Sequence, residues 1–295
     1  MELKLLESIH PNPAAESIFN NLVGIDDQKA TLLNNLQLLV DKGKVTHWHK
    51  HHHKGKLTFL SKIMDGSPLI ILEGDVGCGK TVLANSIATP LAKIIDKRIK
   101  CFETPSNIRG GGKVGDISNR ITQAFDAVKA QLGKADPGIL IIDEADDLAT
   151  SREQNQAHHE DRSGLNVLLK QIDSIAREGY LITVILITNR LSVLDPAIVR
   201  RATQIIRFDR PSDEQRGKVF EHIFDGHSLS AKELQQLIHA SAPKKDVPYS
   251  FSDLIQKVGK QAIFKAIELD IPFSEKIYLE MLSSINPSPF LTKDI

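Results

Sequence analysis

The sequence predicts an α/β fold in which a five-stranded parallel sheet lies between helices and a small all-helical domain follows. Three observations carry that prediction. Short aliphatic runs such as Leu69–Leu72, Ile139–Ile142 and Leu181–Ile187 alternate with helical patterns, as strands buried on both faces of a parallel sheet do. The first of these runs leads directly into Gly74-Asp75-Val76-Gly77-Cys78-Gly79-Lys80-Thr81, which fits G-x-x-x-x-G-K-[ST], the phosphate-binding loop between a strand and a helix. After Pro211 the strand signals stop and only helical ones continue. The 295 residues therefore divide into an N-terminal arm (1–20), a nucleotide-binding α/β domain (21–210) and a helical lid domain (211–295).

Composition limits the function. Hydrophobic residues make up 41% and charged residues 25% of the chain, an ordinary globular balance. Basic and acidic side chains number 37 each, so no global field draws the chain to nucleic acid or to an anionic membrane. No apolar run approaches the roughly 20 residues of a membrane helix. Met1 to Leu6 lacks the apolar core of a signal peptide, and two cysteines, Cys78 and Cys101, cannot build a disulfide framework. A cytoplasmic location is the expectation.

In chain order, Met1 to Asn20, with Pro11 and Pro13, reads as an irregular arm. Asn21 to Asp27 opens a helix whose two aspartates suit its positive end, with Leu32, Leu33, Leu36 and Leu39 at helical spacing. Five histidines lie between His47 and His53; with no fixed second shell they read as a solvated basic loop, or a surface meeting a partner, rather than a metal site. In the phosphate loop, Gly74, Gly77 and Gly79 supply positive φ, Lys80 a point charge for the β- and γ-phosphates, and Thr81 a hydroxyl for Mg²⁺. The nucleotide-binding set is thus Asp75, Val76, Gly77, Cys78, Gly79, Lys80, Thr81 and Val82. Cys78 reads as a passive small residue.

Ile99–Glu103 is a second strand. A loop to Gly115 follows, containing Ile108, Arg109, Gly110, Gly111, Gly112 and Lys113, and three successive glycines leave its backbone nearly unconstrained. Asp116 to Leu132 is an amphipathic helix with Ile117, Ile121, Ala124, Phe125, Val128 and Leu132 on one face. The run Ile139–Ile142 delivers Asp143 and Glu144 to the carboxyl edge of the sheet, where ligands of open parallel sheets bind. Asp143 there suits Mg²⁺, and Glu144 is placed to deprotonate an attacking water. Ser151 to Gly164 reads as a polar loop, and the helix after it turns Leu165, Leu168, Leu169 and Ile172 inward. The next strand brings Asn189 to the same edge, where its amide suits the attacking water or the γ-phosphate. Pro196 sits in the first turn of a short helix, and Gln204–Phe208 is the last strand. Beyond it, Ser212 with Gln215 and Ser230 with Glu233 form capping-box patterns.

Together these residues resemble an AAA+ P-loop NTPase, from Leu22 to Ile285. Lys80 and Thr81 match its Walker A pair, Asp143 and Glu144 its Walker B pair, and Asn189 its sensor-1 residue. The resemblance implies that Val23, Gly24 and Ile25 line the adenine pocket. It also implies that Arg200 or Arg201 is an arginine finger reaching the nucleotide of a neighbouring subunit. The sensor-2 position, Ser250 to Leu254, holds no arginine, a departure shared with protein-remodelling members. Leu140–Glu144, Asn166–Ile175 and Ile198–Ala202 are most similar to the pachytene-checkpoint ATPases, which remodel HORMA-domain proteins.

That likeness implies an ATP- and Mg²⁺-dependent homo-hexamer that pulls on a HORMA-domain partner through the pore loop Ile108–Lys113. Compact remodellers of this kind occur in bacterial antiphage operons. The pore loop departs from the family in lacking an aromatic residue, and the arm has no counterpart of the family's substrate-recruiting domain. The competing reading is a nucleic-acid motor or loader that meets phosphates with Lys42, Lys44, Lys50, Lys54, Lys56 and Lys62.

Overall fold

The computed structural model describes residues 3–64, 66–105, 116–147, 159–226 and 229–291. One sheet contains β1 (Leu6–His10), β2 (Leu69–Gly74), β3 (Ile99–Glu103), β4 (Gly138–Ile142), β5 (Ile182–Thr188) and β6 (Gln204–Phe208), in the order β1-β3-β4-β5-β2-β6. The last five are the strands the sequence predicts. β3, β4, β5 and β2 pair in parallel, with Phe102 beside Leu140, Leu140 beside Val184 and Leu69 beside Val184, so their carboxyl ends share one edge.

The sixth strand corrects two expectations, the five-stranded parallel sheet and the irregular arm. β1 pairs antiparallel with β3, with Leu6 opposite Glu103 and His10 opposite Ile99, and α1 (Pro13–Asn21) follows it. No apolar run marks this strand because it lies at the sheet edge, with Leu6 and Ile9 exposed. Its anchor is His10, which is buried with its ring nitrogens 2.8 Å from Thr89 Oγ1 and 2.9 Å from Ser8 Oγ. Burial lowers the imidazole pKa and favours its neutral form.

α2 (Asp26–Val40) buries Leu32, Leu36 and Val40. α3 (Lys42–His52) is a helix where the sequence suggested a solvated loop; Asp41 caps it by accepting from the Lys44 amide at 3.1 Å, and its last turn is cationic, as the helix dipole favours. Two i, i+4 histidine pairs stack along it, His47 on His51 and His49 on His53. Among the described residues no cluster of three or more ligands suits a metal. α4 (Thr58–Met64), α5 (Lys80–Ser86), α6 (Ala88–Ile95) and α7 (Asp116–Gln131) follow. α8 (His159–Glu178) starts inside the stretch read as a loop to Gly164, while residues 151–158 lie outside the described ones. Then come α9 (Pro196–Val199), α10 (Asp213–Ile223), α11 (Ala231–Ala240), a π-helical turn at Asp253–Gly259, α12 (Lys260–Leu269) and α13 (Glu275–Ser284). None of the described helices is long and apolar enough to cross a membrane.

The chain forms two compact units. The first comprises Met1–Phe19, Gln28–Glu73 and Thr81–Arg207; the second comprises Asn20–Asp27, Gly74–Lys80 and Phe208–Ile295. In the first, the α7 and α8 faces predicted from spacing are buried against the sheet, with Phe102, Phe125, Leu140, Leu168 and Ile172 in one cluster. Each such side chain contributes about 1.5–3 kcal/mol of transfer free energy. The second is built around Phe220, Phe224, Phe273 and Tyr278. Phe224 stacks on Phe273 at 5.0 Å, and the Tyr278 hydroxyl donates to Leu254 O at 2.7 Å. Both predicted capping boxes are present, at the starts of α10 and α11.

Candidate active site

The phosphate loop, Gly74–Lys80, belongs to the helical unit. Gly74 has φ +136°, and a Cβ there would stand 2.0 Å from Phe208 O; a Cβ on Gly77 (φ +77°) would stand 2.9 Å from Ser250 Oγ and Ser252 Cβ. The Ser252 amide donates to Gly77 O at 3.0 Å. Lys80 is buried, and its ammonium donates to Gly74 O at 2.7 Å and Asp75 O at 2.8 Å. The segment Val23-Gly24-Ile25, expected at the adenine, lies in the same unit. Gly24 O accepts from Gln215 Nε2 at 2.7 Å, and a Cβ on Gly79 would lie 3.6 Å from Ile25 Cδ1. Val76 is exposed at the loop tip. Cys78 is buried, and burial together with the Asp75 charge pushes its thiol up to about 12, which matches its reading as passive.

Residues that sequence reasoning missed hold this loop. Arg210 is buried and donates from Nε to Asp75 Oδ2 at 2.6 Å. The other Asp75 oxygen accepts the Val76 amide at 2.8 Å. No arginine occupies Ser250–Leu254, as the sequence shows; Arg210 directs a guanidinium at the phosphate loop from elsewhere in this unit.

The sheet unit carries the hydrolytic candidates. Thr81 and Asp143 come together, with Oγ1 donating to Oδ2 at 2.7 Å. Asp143 also accepts the Glu144 amide at 2.7 Å through Oδ1. Glu144 is exposed and has φ +54°, an uncommon conformation for a residue with a Cβ and one that occurs preferentially at functional turns. Val82 is exposed on α5, and Asn189 is half-buried directly after β5. Glu103, at the end of β3, was not anticipated. Burial raises its pKa and the Asp143 charge raises it further, against a hydrogen bond with Asn85. Its place at a strand end, like that of Asp143, was the available signal. Also missed was Asp146, which accepts from the Thr188 hydroxyl and lies 3.8 Å from Arg190 Nε.

The two candidate fingers differ. Arg201 is fixed by a two-pronged pair with Asp173, Nε to Oδ1 and a terminal nitrogen to Oδ2, each at 3.1 Å. Arg200, at the C-cap of α9, is exposed and has no partner among the described residues. The expected pore loop, Ile108, Arg109, Gly110, Gly111, Gly112 and Lys113, lies outside the described residues.

The chain resembles known proteins along most of its length. CD-NTase-associated protein 6 of Escherichia coli (strain KTE188) is 36% identical over 277 residues, spanning 92% of each chain. The profile of the ATPase family associated with various cellular activities (AAA) matches residues 70–210. The chain belongs to this AAA ATPase family. Its activity is therefore ATP hydrolysis, as the phosphate loop and the acidic pair predicted. Among solved structures, the complex described as E. coli MS115-1 HORMA:CdnC:Trip13 contains a chain that this ATPase matches with a TM-score of 0.90 and 32% identity, over 99% of its own length and 100% of that chain. The ATPase also resembles Rhizobiales Trip13, with a TM-score of 0.76 and 29% identity.

Proposed function

We propose that this ATPase assembles into a cytoplasmic homo-hexameric ring that spends ATP to pull on a HORMA-domain protein and so resets a bacterial antiphage signalling complex. The observation that carries this reading is the full-length likeness to the chain solved in a HORMA:CdnC:Trip13 complex. Balanced net charge and an empty sensor-2 position agree with it. In this reading residues 21–210 are the nucleotide-binding domain, 211–295 the lid, and Ile108–Lys113 the loop that grips substrate.

The reaction is attack of water on the γ-phosphorus. The bond to the β–γ bridging oxygen breaks, ADP and phosphate leave, and Glu144 takes the proton of the attacking water. The loop amides of Asp75–Gly79 and the Lys80 ammonium receive the phosphates, and Val23, Gly24 and Ile25 face the adenine. Turned onto the carbonyls of Gly74 and Asp75, Lys80 is stored close to its own loop and has only to swing outward. Thr81 and Asp143 would hold Mg²⁺, and the pairing of a hydroxyl with a carboxylate oxygen suits a hard, oxygen-preferring ion. When bound, Mg²⁺ neutralises phosphate charge. Asn189 aligns the water. Arg200 reaches the nucleotide of the next subunit, since its guanidinium has no partner among the described residues, while Arg201 braces α9 against α8 through Asp173.

The test is a Glu144→Gln trap purified with ATP. Recovery of a HORMA-fold protein in a ring-sized particle is expected; recovery of nucleic acid alone would overturn the proposal in favour of a nucleic-acid motor.

A further inference from the structure

The phosphate loop carries a carboxylate, Asp75, where an anion must bind. A negative charge there opposes ATP unless something neutralises it. Arg210 does so in a particular way. Its side chain is only 4% exposed, and its Nε donates to Asp75 Oδ2 at 2.6 Å. The remaining donors turn away from the loop to main-chain carbonyls: Pro248 O at 2.5 Å and Ser288 O at 2.7 Å from one terminal nitrogen, Pro289 O at 3.1 Å from the other. The Phe290 ring covers the guanidinium at 4.4 Å.

The segment that supplies most of these partners, 285–291, is itself tied down by side chains of the helical unit. Asp253 accepts the Ser288 amide at 3.1 Å and the Ser288 hydroxyl at 2.6 Å, Lys257 donates to Asn286 O at 2.8 Å, and the Tyr249 hydroxyl donates to Ile285 O at 2.6 Å. Asp253 also accepts the Ser250 amide at 3.0 Å, two residues before the Ser252 amide that holds Gly77.

We infer that Arg210 is a positioning residue for ATP binding, and that the C-terminal segment 285–291 is the strap that aims it at Asp75. This rests on the phosphate loop being the ATP site but not on the HORMA partner. The strap leaves Arg210 one free direction, toward Asp75, and screens the pair from water, so the loop carboxylate is neutralised and its backbone fixed before nucleotide arrives. Pre-organisation of this kind lowers the cost of binding rather than the chemical barrier, so it changes KM and not kcat.

The test is a cycle on the intact chain. It compares Arg210→Gln, Asp75→Asn and the two together, by titration with a fluorescent non-hydrolysable ATP analogue and by steady-state phosphate release. Arg210→Gln is expected to weaken the analogue and raise KM about tenfold, with kcat at saturation changed less than about twofold. Adding Asp75→Asn is expected to restore most of that loss, because the charge that required neutralising is gone. A double variant as weak as Arg210→Gln, or a fall in kcat at unchanged KM, would overturn the inference. Should Arg210→Gln fold poorly, Arg210→Met removes the same charge while keeping an unbranched chain under the Phe290 ring and carries the same cycle, with the same supporting and overturning results.

Discussion

In the proposed reaction the phosphate loop and the acidic turn after β4 act together, yet each is held in a different way. Asp143 and Glu144 are delivered by a strand whose parallel neighbours leave it no other register, and their own contacts are few: Thr81 on one oxygen and a local amide on the other. The loop is held from a distance along the chain. Phe208 presses on Gly74, Ser250 and Ser252 on Gly77, and Arg210 on Asp75. A turn fixed by its strand can be changed in chemistry without loss of shape. A loop fixed by contacts more than a hundred residues away in sequence loses shape when any one of them goes.

That contrast predicts which substitutions silence hydrolysis and which loosen the molecule. Arg200→Ala should lower the ATPase rate by about 10³–10⁵ with an unchanged melting temperature, the usual weight of an arginine finger. Arg201→Ala should cost about fivefold or less, because its pair with Asp173 is part-exposed and worth at most about 1 kcal/mol. Equal losses in phosphate release would break the assignment of Arg200. Next in size, Glu144→Gln should slow hydrolysis by about 10²–10⁴ while ATP affinity and stability hold; unfolding of this variant would show that the acidic turn is as dependent on its side chains as the loop.

On the loop side the order reverses. Gly74→Ala adds a Cβ 2.0 Å from a backbone oxygen at φ +136°, so a loss of about 3 kcal/mol or more in chemical denaturation is expected together with the loss of ATP binding. The smallest effect concerns the strap. Burial alone would raise the Asp253 pKa, but hydrogen bonds from Ser288 and Ser250 outweigh it and hold the carboxyl below its ordinary value. A depressed folded-state pKa stabilises above the unfolded value of about 3.9, and the gain is lost as pH falls through the folded value. Asp253→Asn should therefore cost about 1–2 kcal/mol near neutral pH and flatten the acid limb of the stability profile. An unchanged acid limb would remove Asp253 from the strap.

Much of the candidate site was legible because its signals are local. A wholly aliphatic strand, a glycine turn with Lys80-Thr81, and a second strand ending in Asp143-Glu144 each state their role within about ten residues, and the parallel sheet then has to bring the strand ends to one edge. The capping boxes and the inward faces of α7 and α8 were legible for the same reason: their periods are set by backbone geometry. β1 was not, because an edge strand needs only one buried face and this one is secured by His10 against Thr89, 79 residues on. The helical state of Lys42–His52 was masked by a composition that reads as solvated.

The sequence by itself determined the nucleotide chemistry, since a phosphate cradle and its acids are short covalent patterns. Only the tertiary structure decided what surrounds them: that Asp173 pairs with Arg201 while Arg200 has no partner among the described residues, that Arg210 pairs with Asp75, and that carbonyls of a C-terminal segment accept from that arginine. Each joins a charged side chain to groups far from it in the chain, and its strength depends on burial and distance, which appear only when the chain has closed on itself.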